Sequence, residues 1–201
     1  MPQLPPTTQA LLLINVGMFC LQLLTGSWVE QYLALWPLGS GYFLPWQVVS
    51  YAFLHGSFSH LFFNMLGLWM FGGELEQVWG RKRFIQFYVA SVLAAALAQM
   101  LVALLTGNVY PTVGASGGLF GLLLAYGMMF PQRTIMPLFP PIPMKARTYV
   151  AVFGAIELIL GVTSTASGVA HFAHLGGMLG GWLMMRYWRG APPFGGGRRR
   201  S

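Results

Sequence analysis

The chain has 201 residues, of which 56% are hydrophobic and 7% charged, with a formal net charge of +7. A soluble domain carries roughly 25% charged residues, so this composition excludes an ordinary soluble fold and predicts an all-α polytopic membrane protein. The only acids are Glu30, Glu74, Glu76 and Glu157, which excludes a Ser-His-Asp triad and leaves a dyad or a glutamate for any serine chemistry. The single Cys20 excludes an intramolecular disulfide or a cysteine metal cluster.

The start, MPQLPPTTQ, has no basic n-region and no small-residue cleavage site, so it reads as neither a removable signal peptide nor a transit peptide. A spanning helix needs about 20 mostly apolar residues, and six stretches qualify: 9–27, 58–79, 84–106, 115–130, 148–163 and 169–188. Between the first two, residues 27–57 hold Trp28, Tyr32, Trp36, Tyr42 and Trp46 with one charge. That composition suits an interfacial first loop at headgroup level. His55 lies in this loop and reads as a structural hydrogen-bonding residue. Glu74 and Glu76 close the second span beside Arg81, Lys82 and Arg83, where interfacial ion pairs account for them.

The basic residues test the topology. Arg81–Arg83 follow the second span, Arg133, Lys145 and Arg147 the fourth, and Arg186, Arg189 and Arg198–Arg200 the sixth. All eleven fall on one side of a six-span fold, which the positive-inside rule makes cytoplasmic. Both termini then face the cytoplasm. The charge is explained by the membrane and implies no nucleic-acid partner. Residues 1–190 are expected to form one domain, with 191–201 a flexible basic tail.

The fourth span is short. From Ser116 to Phe130 the rise is about 22 Å, against a hydrocarbon core of about 30 Å. With Pro131 and Arg133 at the cytoplasmic interface, Ser116 stops short of the outer surface. Irregular backbone at that depth must line protein or water, which predicts a wet cavity open to the outside with Ser116 at its floor. Ser116 stands in the stretch VGASGGLFG, where a serine among glycines reads as a hinge, a helix-packing notch or a nucleophile.

Polar side chains inside a bilayer are costly and serve as functional hypotheses. His60 and Asn64 share a face of the second span by i,i+4 spacing and sit near the outer end, at the depth of Ser116. They read as a site pair or as a helix-joining hydrogen bond. His174 precedes Gly176, Gly177, Gly180 and Gly181, two overlapping registers that permit close helix approach. Gly117 and Gly121 form the matching notch on the fourth span, so contact between these faces brings His174 to Ser116. Histidine is the usual base for a serine nucleophile, and Phe120, one turn after Ser116, offers a ring to orient it. A metal site from His171, His174 and His60 lacks a completing acid or cysteine. Glu157 lies mid-span without an intramembrane Lys or Arg partner and reads as a protonated or cavity-facing structural residue.

Taken together, GASG at 114–117, HLFFN at 60–64, GGELEQVWG at 72–80 and AHFAHLGGMLGG at 170–181 resemble the rhomboid intramembrane serine proteases. The resemblance implies a six-span rhomboid bundle with Ser116 as nucleophile and His174, rather than His171, as base. It also implies an oxyanion hole from His60, Asn64 and the Ser116 backbone N–H, with Gly114, Gly117, Gly177 and Phe120 in support and no metal or cofactor. Two departures stand out: Trp46-Gln47 replaces the family's Trp-Arg pair in the first loop, and Phe120 stands where Tyr is common. The implied activity is cleavage, in a bacterial inner membrane, of single-pass membrane proteins within their transmembrane segments. Two other readings compete. A catalytically inactive binder of transmembrane helices is disfavoured by the retained Ser116 and His174. A small proton-coupled transporter is disfavoured by the lack of inverted-repeat hydropathy.

Overall fold

The computed structural model describes residues 4–138, 141–163 and 170–190. The first span is α1, Pro6–Thr25. Proline at its first position has no N–H to leave unpaired. The next donors are met by Glu76, whose carboxylate accepts from Thr7 N at 3.0 Å, Thr8 N at 2.7 Å and Thr8 Oγ1 at 2.8 Å. The interfacial ion pairs expected of Glu74 and Glu76 with Arg81–Arg83 are therefore corrected. Glu76 is buried as the cap of α1, where a negative charge meets the positive end of the helix dipole. Glu74 pairs instead with Arg133 and accepts from the Tyr126 hydroxyl at 3.1 Å.

The expected interfacial segment folds into α2, Ser27–Leu33, and α3, Gln47–Ser50, with short 3-10 turns at Leu38–Ser40 and Tyr51–Phe53. Trp28, Tyr42 and Trp46 remain more than half exposed, as ring anchors at a headgroup layer would be. Gln47 is fully buried and pins the loop from within. Its Oε1 accepts from Trp36 N and Leu44 N, and its Nε2 donates to the Tyr32 and Tyr42 carbonyls. So the departure from Trp-Arg keeps a polar anchor with both donor and acceptor ends satisfied.

The second span is α4, Phe58–Gly67, running through a π turn at Leu68–Gly72 into α5, Gly73–Thr106. The break expected between 79 and 84 falls at Gly80, with φ 76° and ψ 160° inside the helical run. This is backbone that favours glycine, and the chain doubles back there. The Phe84 ring lies 3.5 Å from where a methyl on Gly72 would stand, whereas twelve residues of unbroken helix span about 18 Å.

The remaining spans are α6, Ser116–Met129, α7, Ala146–Thr163, and α8, His171–Trp188. Between α6 and α7 a small hairpin pairs β1, Thr134–Ile135, with β2, Met144–Lys145. By length and composition, Pro6–Thr25, Phe58–Thr106 and Ala146–Thr163 can each cross a membrane, and Ser116–Met129 is a shorter apolar helix. Gly80 divides the 49-residue run. The result is an all-α bundle of a multi-pass membrane protein. The expected outer loop at 164–168 and the expected basic tail at 191–201 lie outside the described residues.

Helix α8 is wedged between α5 and α6, and its glycines divide the work. A methyl on Gly176 or Gly180 would collide with Ala98 or Ala94 of α5. One on Gly177 would overlap the Gly117 carbonyl of α6, and one on Gly181 would strike the Phe87 ring of α5 and press on Gly121 of α6. Bare backbones thus meet where side chains would hold the helices apart. His174 sits one turn before Gly177, at the end of this closest approach.

Candidate active site

Ser116 opens α6 and is presented by the first loop. Leu35 and Thr112 exchange both backbone hydrogen bonds, at 3.0 and 2.9 Å, and Gly114 N donates to the Tyr51 carbonyl at 3.0 Å. Gly114 has φ 133°, and a methyl there would lie 2.8 Å from His60 Cε1. Both conformation and space therefore demand glycine at this position.

The glycine seam brings α8 against this turn. His174 Nε2 lies 2.7 Å from Ser116 Oγ. Phe120 stacks on the His174 ring at 4.3 Å between centroids and 7° between planes. With the ring proton on Nδ1, the serine hydroxyl donates to Nε2.

Glu157 has partners that the sequence reading did not identify. Its Oε2 lies 2.6 Å from His171 Nδ1 and 2.8 Å from His174 Nδ1. The first contact is a hydrogen bond. The second is at ion-pair distance, and His174 Nδ1 makes no hydrogen bond among the described residues. All three side chains are about nine-tenths buried. Among the described residues, the donor atoms of Glu157, His171 and His174 lie within 4.8 Å of one another, a spacing that a small divalent ion could also bridge. The hydrogen bond from His171 accounts for their closeness without an ion, and His60 is not part of the group.

On the facing wall, Ser57 caps α4 by accepting from His60 N at 3.1 Å. Asn64 is buried and its Nδ2 has no hydrogen-bond partner. Ser116, His174, His60 and Asn64 all line one cavity of about 1510 Å³, which also reaches Tyr110 and Phe153. Ser116, His174, Phe120, Gly114 and His60 are thus in mutual reach, and Asn64 lines the same cavity without a hydrogen bond to them.

His55 departs from expectation. Its backbone does the tying, with His55 N donating to Gln22 Oε1 at 2.9 Å and Gln22 Nε2 to the His55 carbonyl at 3.3 Å. The ring makes no hydrogen bond and meets His60 edge-on at 5.1 Å. Burial, and secondarily the neighbouring His60, push its pKa down to about 4, so it is neutral near pH 7. Burial also raises the Tyr51 phenol above its ordinary range, and its hydroxyl donates to the Val92 carbonyl at 2.9 Å.

The supporting contacts of three residues are not legible in the sequence: Glu157 behind His174, Tyr51 behind Gly114 and Gln47 within the first loop. Glu157 leaves a signal as an acid deep in a span and Gln47 as the departure from the Trp-Arg pair, but neither signal names a partner.

Comparison with known proteins completes the picture. The Rhomboid domain model matches residues 43–190. The chain is 33% identical over 186 residues to the mitochondrial Rhomboid protein 1 of Saccharomyces cerevisiae, covering 87% of this chain and 51% of that protein. It is 27% identical over 187 residues to the rhomboid protease GlpG of Yersinia pestis, covering 92% of this chain and 63% of that protein. The chain thus spans between half and two thirds of the curated relatives it matches. With the matched region running from the first loop through α8 and containing every residue of the cavity described above, this chain belongs to the rhomboid family.

Proposed function

We propose that the protein is an intramembrane serine endopeptidase acting on transmembrane segments of single-pass membrane proteins. Ser116 Oγ attacks the scissile carbonyl carbon while its proton passes to His174 Nε2. The tetrahedral oxyanion is held by Asn64, His60 and the Ser116 backbone N–H, which as the first amide of a helix has no intrahelical acceptor. Preorganised donors of this kind are often the largest single contribution to catalysis. As the C–N bond breaks, His174 returns the proton to the leaving amine. A water then gives its proton to His174 and attacks the acyl-enzyme, releasing the acid and regenerating Ser116.

The observation that carries this reading is the 2.7 Å contact between Ser116 and His174 at the wall of a cavity large enough for water and an unwound peptide. Asn64 Nδ2, which has no hydrogen-bond partner among the described residues, supports the assignment as a donor that an oxyanion could engage. In this proposal the cavity opens to the periplasmic side of a bacterial inner membrane and both termini are cytoplasmic. Residues 1–190 form the protease domain and 191–201 a basic tail, and substrate enters beside α7 and the adjacent outer loop. Purified protein in liposomes, incubated with a single-pass substrate, should cleave it as wild type and lose cleavage at least 10²-fold as Ser116→Ala or His174→Ala. Binding without cleavage by wild type supports an inactive helix binder instead, and cleavage by Ser116→Ala sinks the proposal.

A further inference from the structure

We propose that Glu157 is a positioning residue for His174, so that this chain uses a carboxylate-backed histidine in place of a bare serine-histidine dyad. The inference rests on the reading of Ser116 and His174 as nucleophile and base. It goes beyond that reading by giving α7 a part in the chemistry.

A neutral imidazole carries one ring proton. His174 Nε2 can accept from Ser116 only if that proton is on Nδ1. Glu157 Oε2 lies 2.8 Å from Nδ1. A lone pair on Nδ1 facing a carboxylate oxygen is repelled, whereas an N–H there is attracted, so the carboxylate selects the productive tautomer. When Ser116 hands over its proton, the imidazolium faces a fixed negative charge in a water-poor interior, where such contacts count most. This is the part played by the third member of a serine triad, which orients and stabilises without itself taking the proton.

His171 explains why the carboxylate stays in place. It donates from Nδ1 to the same Oε2 at 2.6 Å, three residues and one turn before His174 on the same helix face. The contact to His174 is close, but His174 Nδ1 makes no hydrogen bond in the resting state. Catalytic hydrogen bonds are often misaligned before substrate binds and tighten afterwards. Phe120 covers the ring face and fixes its plane. Glu157 fixes its proton. These are separate tasks, and the stacking expected from sequence performs only the first.

The test uses the full chain in liposomes as wild type, Glu157→Gln, Glu157→Asp and Ser116→Ala. Glu157→Gln keeps the volume and an acceptor for His171 but removes the charge. It should lower kcat and the rate of fluorophosphonate labelling by roughly 10²-fold, with KM and melting temperature near wild type, and Glu157→Asp should recover part of the loss. With four histidines in the chain, ¹⁵N-histidine spectra assigned through single variants should show His174 protonated on Nδ1 in wild type. Glu157→Gln within threefold of wild type in kcat, while Ser116→Ala is dead, overturns the role of Glu157 and leaves the dyad standing. If Glu157→Gln does not fold, the wild-type spectrum decides, and His174 protonated on Nε2 overturns the proposal. Cleavage retained by Ser116→Ala overturns both readings.

Discussion

Replacing Gly114 with alanine tests how the turn that presents Ser116 is built. Its φ of 133° is backbone that a side chain strains, at about 1–3 kcal/mol. The new methyl would stand 2.8 Å from His60 Cε1, 2.9 Å from His60 Nε2 and 3.4 Å from Ser116 Oγ. Ordinary carbon contact begins near 3.5 Å, so His60 must retreat by about 0.7 Å or the turn must shift as far. Misplacement by about 1 Å in a catalytic constellation costs on the order of 10²-fold in rate. Gly114→Ala should therefore melt lower than wild type by several degrees and lose between 10- and 100-fold in kcat/KM. Gly17→Ala and Gly39→Ala are the controls, since nothing lies within 4 Å of a methyl at either position and neither has positive φ. The assay is cleavage of a transmembrane substrate in liposomes alongside a thermal melt. Gly114→Ala with activity within threefold of wild type would refute the reasoning, because His60 would then be neither close to nor coupled with the turn.

Phe120→Tyr should keep near-wild-type cleavage because the ring face over His174 remains, while Phe120→Ala should lose roughly tenfold in kcat through a loosened imidazole. Gln47→Ala strips the partners from the Trp36 and Leu44 amides and the Tyr32 and Tyr42 carbonyls. It should destabilise the fold by about 2–4 kcal/mol in denaturant titration. His55 gives a pH dependence: its folded pKa near 4 lies below the ordinary value of 6.5, so the unfolded chain takes the proton first. Its contribution is complete above about pH 6.5 and is lost as pH falls towards 4, up to about 3 kcal/mol. Melts of wild type against His55→Phe between pH 7 and pH 4.5 should show a steeper loss for wild type, and parallel curves contradict the assignment.

The six-span architecture was legible because membrane burial is a property of composition, and composition is local. The basic run Arg81–Arg83 marked the break after the second span, and the short fourth span announced itself by the distance from Ser116 to Pro131. The pairing of glycine faces was legible as motif but not as assignment. Only packing could tell that Gly177 meets α6, that Gly176 and Gly180 meet α5, and that Gly181 fits between Phe87 of α5 and Gly121 of α6. The partners of the acids are not legible from sequence proximity. The nearest cations in sequence to Glu74 and Glu76 are Arg81–Arg83, and residues 148–163 around Glu157 hold no Lys or Arg. In the fold, Glu76 finds backbone amides 68 and 69 residues away, Glu74 finds Arg133, and Glu157 finds two histidines on α8. Long-range polar pairing is set by helix packing, which local patterning does not encode. Tyr51 was hidden for a similar reason, since it supports Gly114 through its backbone carbonyl.

The claim at the centre of the account is that His174 activates Ser116. Its most direct measurement is fluorophosphonate labelling of the purified chain followed by peptide mapping of the adduct. The account predicts a single phosphonyl adduct on Ser116 in wild type, with the labelling rate reduced at least 10²-fold in His174→Ala. An adduct on another residue, or labelling of Ser116 at an unchanged rate in His174→Ala, would contradict it.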